Sequence, residues 1–131
     1  MKKLIPILLS ALMFIGCAGT SNNQTNTYRQ ISMEEAAAMM AEETGYIILD
    51  VRRPDEVAAG HIPGAINVAN ETIGTDDVPE LPDKNQLIMV YCRSGRRSKE
   101  AAEKLVKLGY TNIVEFGGIL DWEGETVTRQ S

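Results

Sequence analysis

The residues best suited to chemistry lie in one short segment that contains a thiol, three guanidinium groups, a glycine and two hydroxyl groups. In chain order the segment reads Cys92, Arg93, Ser94, Gly95, Arg96, Arg97 and Ser98. The apolar run 87–91 before it predicts a buried strand, and the spacing of apolar residues over 98–108 predicts an amphipathic helix. A thiol between a strand and the start of a helix faces unpaired backbone N–H groups and the positive end of the helix dipole. Such surroundings stabilise an anion, so the pattern predicts that Cys92 acts as a thiolate nucleophile.

Two further observations favour a reactive thiol over the inert, buried cysteine that is the usual alternative. Gly95 lies within the segment and is expected to adopt a positive φ angle, which lets the loop close around a single atom. Ligands of open α/β sheets bind at the carboxyl ends of the strands, where the sequence places Cys92. We therefore interpret residues 92–98 as an anion-binding loop around the thiol.

The rest of the chain alternates apolar strands with helices. Strands are predicted over 28–31, 46–49, 65–68, 87–91 and 113–116, and helices over 33–43, 54–59 and 98–108. Ser32 and Glu35 have capping-box spacing at the start of the first helix. Two prolines, Pro79 and Pro82, leave residues 70–85 without a predicted regular element. Alternation of this kind predicts a parallel sheet that helices cover on both faces.

The first 27 residues have the composition of an export and anchoring segment. Lys2 and Lys3 precede an apolar run over 4–15, which is too short to span a bilayer as a helix. The segment resembles a bacterial lipoprotein signal, which implies cleavage after residue 16 and a lipid on Cys17. An ordinary secretory signal, cleaved near Ala18, is the alternative. We expect 1–16 to be a signal peptide, 17–27 a flexible lipid-anchored tether and 28–131 one domain on the periplasmic or cell-surface side of a membrane.

Charge and cysteine usage narrow the range of partners. Removal of residues 1–16 takes away Lys2 and Lys3 and changes the formal net charge from -5 to -7, which disfavours nucleic acid as a partner. A lipid on Cys17 would leave Cys92 without a disulfide partner, because the chain has two cysteines. The domain then has no resolving cysteine, which disfavours thiol redox chemistry. A free thiol in an oxidising compartment is a liability unless its reactivity is used.

Four motifs occur in an order and at spacings that together are specific. They are Leu49-Asp50-Val51-Arg52, Gly60-His61-Ile62-Pro63-Gly64-Ala65-Ile66-Asn67, the loop from Cys92 to Ser98, and Gly117-Gly118 with Trp122. Over residues 28–125 the chain therefore resembles a single-domain rhodanese, a thiosulfate sulfurtransferase-like protein. The resemblance implies a three-layer α/β/α domain with a five-stranded parallel sheet. It also implies that the turn around His61 is structural rather than catalytic.

The resemblance implies a function as well. In this family a thiolate, here that of Cys92, takes the outer sulfur of a donor such as thiosulfate and holds it as a persulfide. A thiophilic acceptor, cyanide or a thiol, then removes that sulfur. The loop from Arg93 to Ser98 would bind the persulfide, without any metal ion or organic cofactor. The implied partners are a small sulfur-containing anion and a thiol acceptor, and we expect a monomer that is held at the membrane through Cys17.

Asp50 and Arg52 follow the second predicted strand and are expected to support the site indirectly. Asp50 could orient Arg52 or an arginine of the loop, or it could cap the helix that begins near residue 55.

Loop length separates the chemistries that this fold supports. The resemblance implies that rhodanese-like phosphatases and arsenate reductases have active-site loops with Cys-x5-Arg spacing. In this chain the segment from Cys92 to Arg97 has Cys-x4-Arg spacing. The shorter loop favours sulfur transfer over phosphatase or arsenate reductase activity. Arg97 holds the motif position, and either Arg96 or Arg97 could contact a sulfonate oxygen of the donor. The alternative function is a persulfide carrier or docking module for an exported protein partner.

Overall fold

Strands and helices alternate along the part of the chain that the structure, a computed structural model, describes, residues 27–129. The strands are β1 (Arg29–Gln30), β2 (Ile47–Asp50), β3 (Ile66–Asn67), β4 (Ile88–Cys92) and β5 (Ile113–Gly118). The helices are α1 (Met33–Glu42), α2 (Pro54–Ala59) and α3 (Arg96–Lys107), and short 3-10 helices cover Asn70–Thr72 and Ile119–Asp121. Each predicted strand and helix is confirmed, with ends that differ by about two residues or fewer.

The strands form one sheet in the order β1-β5-β4-β2-β3, and every neighbouring pair in it is parallel. Strand β4 lies at the centre, between β5 and β2, and all five of its residues are buried. A central parallel strand is covered on both faces, which explains why the sequence of β4 is almost continuously apolar.

Two hydrophobic cores cover the two faces of the sheet. One core joins alternate residues of β4 to helix α3; its members include Val90, Cys92, Ala101, Ala102 and Leu105. The other joins the remaining residues of β4 to helix α1; its members include Met89, Tyr91, Phe116, Ile62 and Ala36. The predicted three-layer α/β/α domain with a five-stranded parallel sheet is therefore confirmed.

Helix α1 begins with the capping box that the sequence predicts. The Ser32 side chain accepts a hydrogen bond of 3.0 Å from the Glu35 N–H, and the Ser32 N–H donates one of 2.9 Å to the Glu35 carboxylate. Two N–H groups that the helix leaves without partners are satisfied in this way.

Helix α3 begins at Arg96, two residues before the predicted start. The prediction relied on the spacing of apolar residues. The first turn of this helix contains two arginines, so its start is not visible in that spacing. Gly95, immediately before the helix, has a φ of 114° in the left-handed region. The loop between β4 and α3 is therefore only Arg93, Ser94 and Gly95.

Residues 70–85 fill one side of the core although they contain little regular structure. Ile73, Val78 and Leu81 are buried, and the Tyr110 hydroxyl donates a hydrogen bond of 2.6 Å to the Leu81 carbonyl. This bond attaches the irregular segment to the chain just after α3, at Tyr110.

The expected signal peptide over 1–16, the lipid site Cys17 and the tether up to residue 26 lie outside the described residues. Within residues 27–129, none of the helices combines the length and the apolar composition needed to cross a membrane.

Candidate active site

Cys92 is the last residue of β4 and lies at the carboxyl edge of the sheet, as the sequence predicts. It pairs with Gly118 of β5 after a register shift between Val90 and Cys92. The side chain is 1% exposed, and the backbone N–H of Gly95 donates a hydrogen bond of 3.0 Å to its Sγ atom. The thiol therefore lies beneath a loop whose backbone curls back onto the sulfur.

The left-handed conformation of Gly95 makes this contact possible. Its φ of 114° is unfavourable for any residue with a Cβ atom, so glycine is required where the chain turns sharply into α3. The predicted positive φ of Gly95 is confirmed.

The Gly117-Gly118 motif lets the end of β5 approach the loop backbone closely. A Cβ atom on Gly118 would lie 2.1 Å from the carbonyl oxygen of Arg93, and the Leu120 N–H donates to the same oxygen at 3.2 Å. The loop is therefore held from outside by backbone atoms rather than by side chains.

Several N–H groups of the loop remain available to a ligand. Within the described part of the chain, the N–H groups of Ser94, Arg96 and Arg97 donate to no protein acceptor. Those of Arg96 and Arg97 belong to the first turn of α3, where free N–H groups and the helix dipole favour negative charge. The loop can therefore stabilise an anion at Sγ or just beyond it.

Ser98 connects the thiol to a buried carboxylate. The Cys92 thiol donates to the Ser98 hydroxyl at 3.4 Å, and that hydroxyl donates to Oε2 of Glu115 at 2.5 Å. Glu115 lies in β5 and is 2% exposed. Glu115 was not among the predicted site residues, although a lone acidic residue in the apolar run 113–116 is an unusual signal.

Arg97 forms an ion pair with Glu56 of α2. Its two terminal nitrogens donate to the two carboxylate oxygens at 2.7 and 3.0 Å, and both side chains are less than one-fifth exposed. The bidentate pair lowers the pKa of Glu56 from its usual value of 4.5 to about 2. Glu56, which the sequence analysis also missed, thus fastens the start of α3 to α2.

The other two arginines of the loop point to the surface. Arg96 pairs with Glu100 one helical turn later at 2.9 Å, and both partners are exposed. The Arg93 side chain is exposed and forms no ion pair among residues 27–129. The structure therefore brings together the backbone of the predicted loop but spreads the three guanidinium groups in different directions.

The middle of α3 is fastened to the 3-10 helix Asn70–Thr72. The amide of Asn70 donates to the Glu100 carboxylate at 2.9 Å, and Lys104 donates to the Asn70 carbonyl at 2.9 Å. Together with the pair of Arg97 and Glu56, these bonds hold the helix along its length.

Asp50 orients Arg52, one of the two roles that the sequence left open. The Asp50 carboxylate accepts three hydrogen bonds from the Arg52 guanidinium, at 2.9, 3.2 and 2.7 Å, and both residues are buried. Arg52 also donates to the Gly60 carbonyl at 2.7 Å and lies 5.7 Å from the centre of the Tyr91 ring. This pair supports the turn at 60–64 and the residue next to Cys92, and it does not contact the loop itself.

The turn around His61 is built into the same supporting structure. The ring Nδ1 of His61 lies 2.8 Å from the Val57 carbonyl, to which it can only donate, and the Ile62 N–H donates to the Tyr91 hydroxyl at 3.0 Å. Burial raises the pKa of Tyr91, so its hydroxyl stays neutral and available as an acceptor. The structural role that was expected for this turn agrees with these contacts.

These features define a class of protein: an α/β domain with one buried cysteine at the end of its central parallel strand, beneath a short loop that leads into a helix. The sequence matches the family model of the Rhodanese-like domain over residues 32–125. The chain belongs to that family.

Relatives and solved structures agree with this assignment. The chain is 38% identical to thiosulfate sulfurtransferase PspE of Escherichia coli (strain K12), over 56% of this chain and 70% of the relative. It is 35% identical to thiosulfate sulfurtransferase GlpE of Pseudomonas entomophila, over 70% of this chain and 80% of the relative. A solved structure described as rhodanese with anions from E. coli is 35% identical, with a TM-score of 0.58, and covers 63% of this chain and 98% of its own.

Proposed function

We propose that this protein is a sulfurtransferase that moves sulfane sulfur from a donor such as thiosulfate to a thiol or cyanide, through a persulfide on Cys92. The observation that carries the proposal is the loop backbone at the thiol: the Gly95 N–H donates to Sγ, and the neighbouring N–H groups of Ser94, Arg96 and Arg97 have no acceptor among residues 27–129. In an anionic persulfide the negative charge lies on the outer sulfur, one atom beyond Sγ. Backbone N–H groups of the loop that have no protein acceptor can donate to that sulfur.

The reaction consists of two displacements at sulfur. First, the thiolate of Cys92 attacks the outer sulfur of thiosulfate, an S–S bond forms to Sγ, and the S–S bond of the donor breaks with its electron pair leaving on sulfite. Second, a thiolate or cyanide attacks the terminal sulfur, and the electron pair of the broken bond returns to Sγ. The enzyme ends as the thiolate with which it began.

The ion pair of Arg97 supports sulfur transfer rather than phosphatase chemistry. Both terminal nitrogens of Arg97 bind Glu56, so the guanidinium contributes positive charge near the loop while backbone N–H groups make the direct contacts. A small linear persulfide needs fewer donors than a tetrahedral oxyanion, and the Cys-x4-Arg loop is the shorter of the two types.

We also propose that the domain acts outside the cytoplasm, attached to a membrane through a lipid on Cys17. The basic residues Lys2 and Lys3, the apolar run 4–15 and the small residue before Cys17 support this location. Intact mass of the protein purified from membranes tests it. A lipid-sized gain at Cys17 supports the proposal, and an N-terminus at or after Ala18 contradicts it.

Formation of thiocyanate from thiosulfate and cyanide is the direct test of activity. We expect turnover by the wild-type protein and none by Cys92→Ser, with thermal unfolding of both proteins as the control for folding. Mass spectrometry after exposure to thiosulfate should show one added sulfur on Cys92. If no sulfane donor produces that mass, the proposed chemistry is wrong. Stoichiometric persulfide without turnover would favour the alternative of a carrier that serves a protein partner.

A further inference from the structure

Glu115 is a buried carboxylate that has no role in the two displacements of the proposed sulfur transfer. It lies within β5 at 2% exposure and has no ion-pair partner among residues 27–129. Its Oε2 atom accepts hydrogen bonds from the Ser98 hydroxyl at 2.5 Å and the Gly117 N–H at 3.0 Å. Its Oε1 atom accepts one from the Gln30 amide at 3.3 Å. A buried carboxylate without a cation is costly, so its position beside the reactive loop needs a reason.

The hydrogen bonds give a direction from the thiol to this carboxylate. Ser98 has a single hydroxyl proton, and the shortest of its contacts is the one to Glu115. The Ser98 oxygen is thereby left with lone pairs for the Cys92 thiol, which donates to it at 3.4 Å. The three groups form a continuous path from a proton donor to a proton acceptor.

We propose that Glu115 takes the proton of the Cys92 thiol through Ser98 and so produces the thiolate. The S–H bond of Cys92 breaks and its electron pair stays on Sγ. The proton goes to the Ser98 oxygen while the original Ser98 proton passes to Oε2 of Glu115. Afterwards the protonated Glu115 donates to Ser98, and Ser98 donates to the thiolate.

Charge explains why an internal acceptor is favourable. If the thiol lost its proton to solvent, a thiolate and a carboxylate would lie a few ångströms apart in a buried site and repel each other. Transfer along the path moves one negative charge from Glu115 to Cys92 and leaves the total unchanged. The charge arrives at Sγ, where the Gly95 N–H donates to it directly before the start of α3.

Two other titratable groups near this path, Tyr28 and Arg97, keep a constant charge at neutral pH. Burial and the nearby carboxylates of Glu103 and Glu115 raise the pKa of Tyr28, which therefore stays a neutral phenol. Arg97 acts on Cys92 by charge alone, and its ion pair with Glu56 raises its pKa further. Glu115 and Cys92 are thus the pair that can exchange a proton.

Glu115→Gln is the variant that separates proton acceptance from structure. The bonds from Ser98 and Gly117 end on the same oxygen, so a glutamine carbonyl can accept both, and the Gln30 amide can turn to present its oxygen. Glutamine cannot accept the proton. Glu103→Gln, on the exposed face of α3, is the matched control.

The ultraviolet absorbance of the thiolate, measured on the full chain with Cys92→Ser as the blank, gives the test. We expect a wild-type thiolate fraction that is nearly constant from about pH 6 to pH 8, because transfer within the site exchanges no proton with solvent. In Glu115→Gln the thiol can lose its proton only to solvent, so the thiolate fraction should fall steeply as the pH is lowered from about pH 8 to pH 6. Glu103→Gln should match the wild-type protein.

The opposite result has a clear physical meaning. If Glu115 were only a nearby negative charge, its removal would increase the thiolate fraction at pH 7. An unchanged or increased fraction in Glu115→Gln therefore overturns the proposal. Should that variant fail to fold, Ser98→Ala removes the middle of the path and must lower the thiolate fraction in the same way. An infrared carbonyl band of a protonated carboxyl group, present in the wild-type protein and absent from Cys92→Ser, is the second expected signature.

The proton path rests on the proposed function, in which Cys92 is the nucleophile. The two proposals can nevertheless be contradicted independently. The absorbance measurement needs no sulfur donor. A pH-independent thiolate in a protein that forms no persulfide would contradict the sulfurtransferase and retain the proton path. Persulfide formation with an unchanged thiolate in Glu115→Gln would do the reverse.

Discussion

The guanidinium of Arg97 and the carboxylate of Glu56 are joined by two hydrogen bonds of 2.7 and 3.0 Å across 41 residues of sequence. This pair ties the first turn of α3, and with it the Cys92 loop, to α2. Because both side chains are mostly covered, the pair is held more firmly than an ion pair on the surface.

Glu56→Gln should lower the free energy of unfolding at pH 7 by about 2 kcal/mol. The pKa of Glu56 is depressed from 4.5 to about 2 in the folded protein, so the contribution of the pair is complete above about pH 4.5 and is lost as the pH falls toward 2. Urea denaturation of both proteins should therefore give a difference that shrinks as the pH decreases. Glu100→Gln is the control. It removes the exposed ion pair with Arg96 and leaves the covered pair of Arg97 and Glu56 intact, although Glu100 also contacts Asn70. An equal difference at pH 7 and at pH 2 would contradict this account.

Gly118→Ala should displace the reactive loop. The added methyl group would lie 2.1 Å from the Arg93 carbonyl oxygen, so either β5 or the loop must move. We expect a loss of about 1–3 kcal/mol in stability, as in other overpacked sites, and a larger loss of sulfur transfer. Gly74→Ala is the control because that glycine has no atom within 4 Å of its would-be Cβ. Chemical denaturation and the thiocyanate assay measure the two effects, and wild-type values for Gly118→Ala would disprove the contact.

Asp50→Ala should be strongly destabilising because it leaves the Arg52 guanidinium buried without its carboxylate. Breaking a buried ion pair in this way costs about 3–5 kcal/mol. Asp55→Ala removes an exposed partner of Arg53 and should change stability by less than about 1 kcal/mol. Thermal unfolding compares the two variants directly. Similar melting temperatures for both would mean that Asp50 does not hold Arg52 in solution.

Hydrolysis of p-nitrophenyl phosphate should be absent from the wild-type protein under conditions in which thiocyanate forms. The loop is of the Cys-x4-Arg type, and the side chain of Arg97 is bound to Glu56 rather than turned toward an oxyanion. Release of p-nitrophenol is the measurement, with Cys92→Ser as the background. Cysteine-dependent release would show that the loop accepts a tetrahedral phosphate.

Apart from the five-stranded parallel sheet, which the resemblance to a rhodanese implied, the features that the sequence predicted correctly depend on residues close together in the chain. The capping box of Ser32 and Glu35, the positive φ of Gly95 and the apolar strand before Cys92 are all decided within a few residues. Local pattern alone therefore indicates where the thiol lies and what surrounds its backbone.

The features that the sequence did not predict are contacts between distant residues. Glu56 lies 41 residues from Arg97, and Glu115 lies 17 residues from Ser98. No pattern within a single strand or helix reveals such partners, because each pair joins two different elements, α2 with α3 or α3 with β5, that meet only in the folded domain. The start of α3 was placed two residues late for a related reason, since the apolar residues of a helix do not mark a first turn made of arginines.

Helix α3 is held at two places: Arg97 fastens its first turn to α2, and Lys104 and Glu100 fasten its middle to Asn70. In the proposed reaction, the helix dipole would keep one direction while negative charge moves from the attacking sulfur to the departing sulfite. Water around such a reaction would have to reorient as the charge moves, and that reorganisation adds to the barrier. The dipole of α3 is already oriented before a donor binds, because folding fixes the direction of the helix. No further reorganisation of that dipole is needed during the proposed reaction.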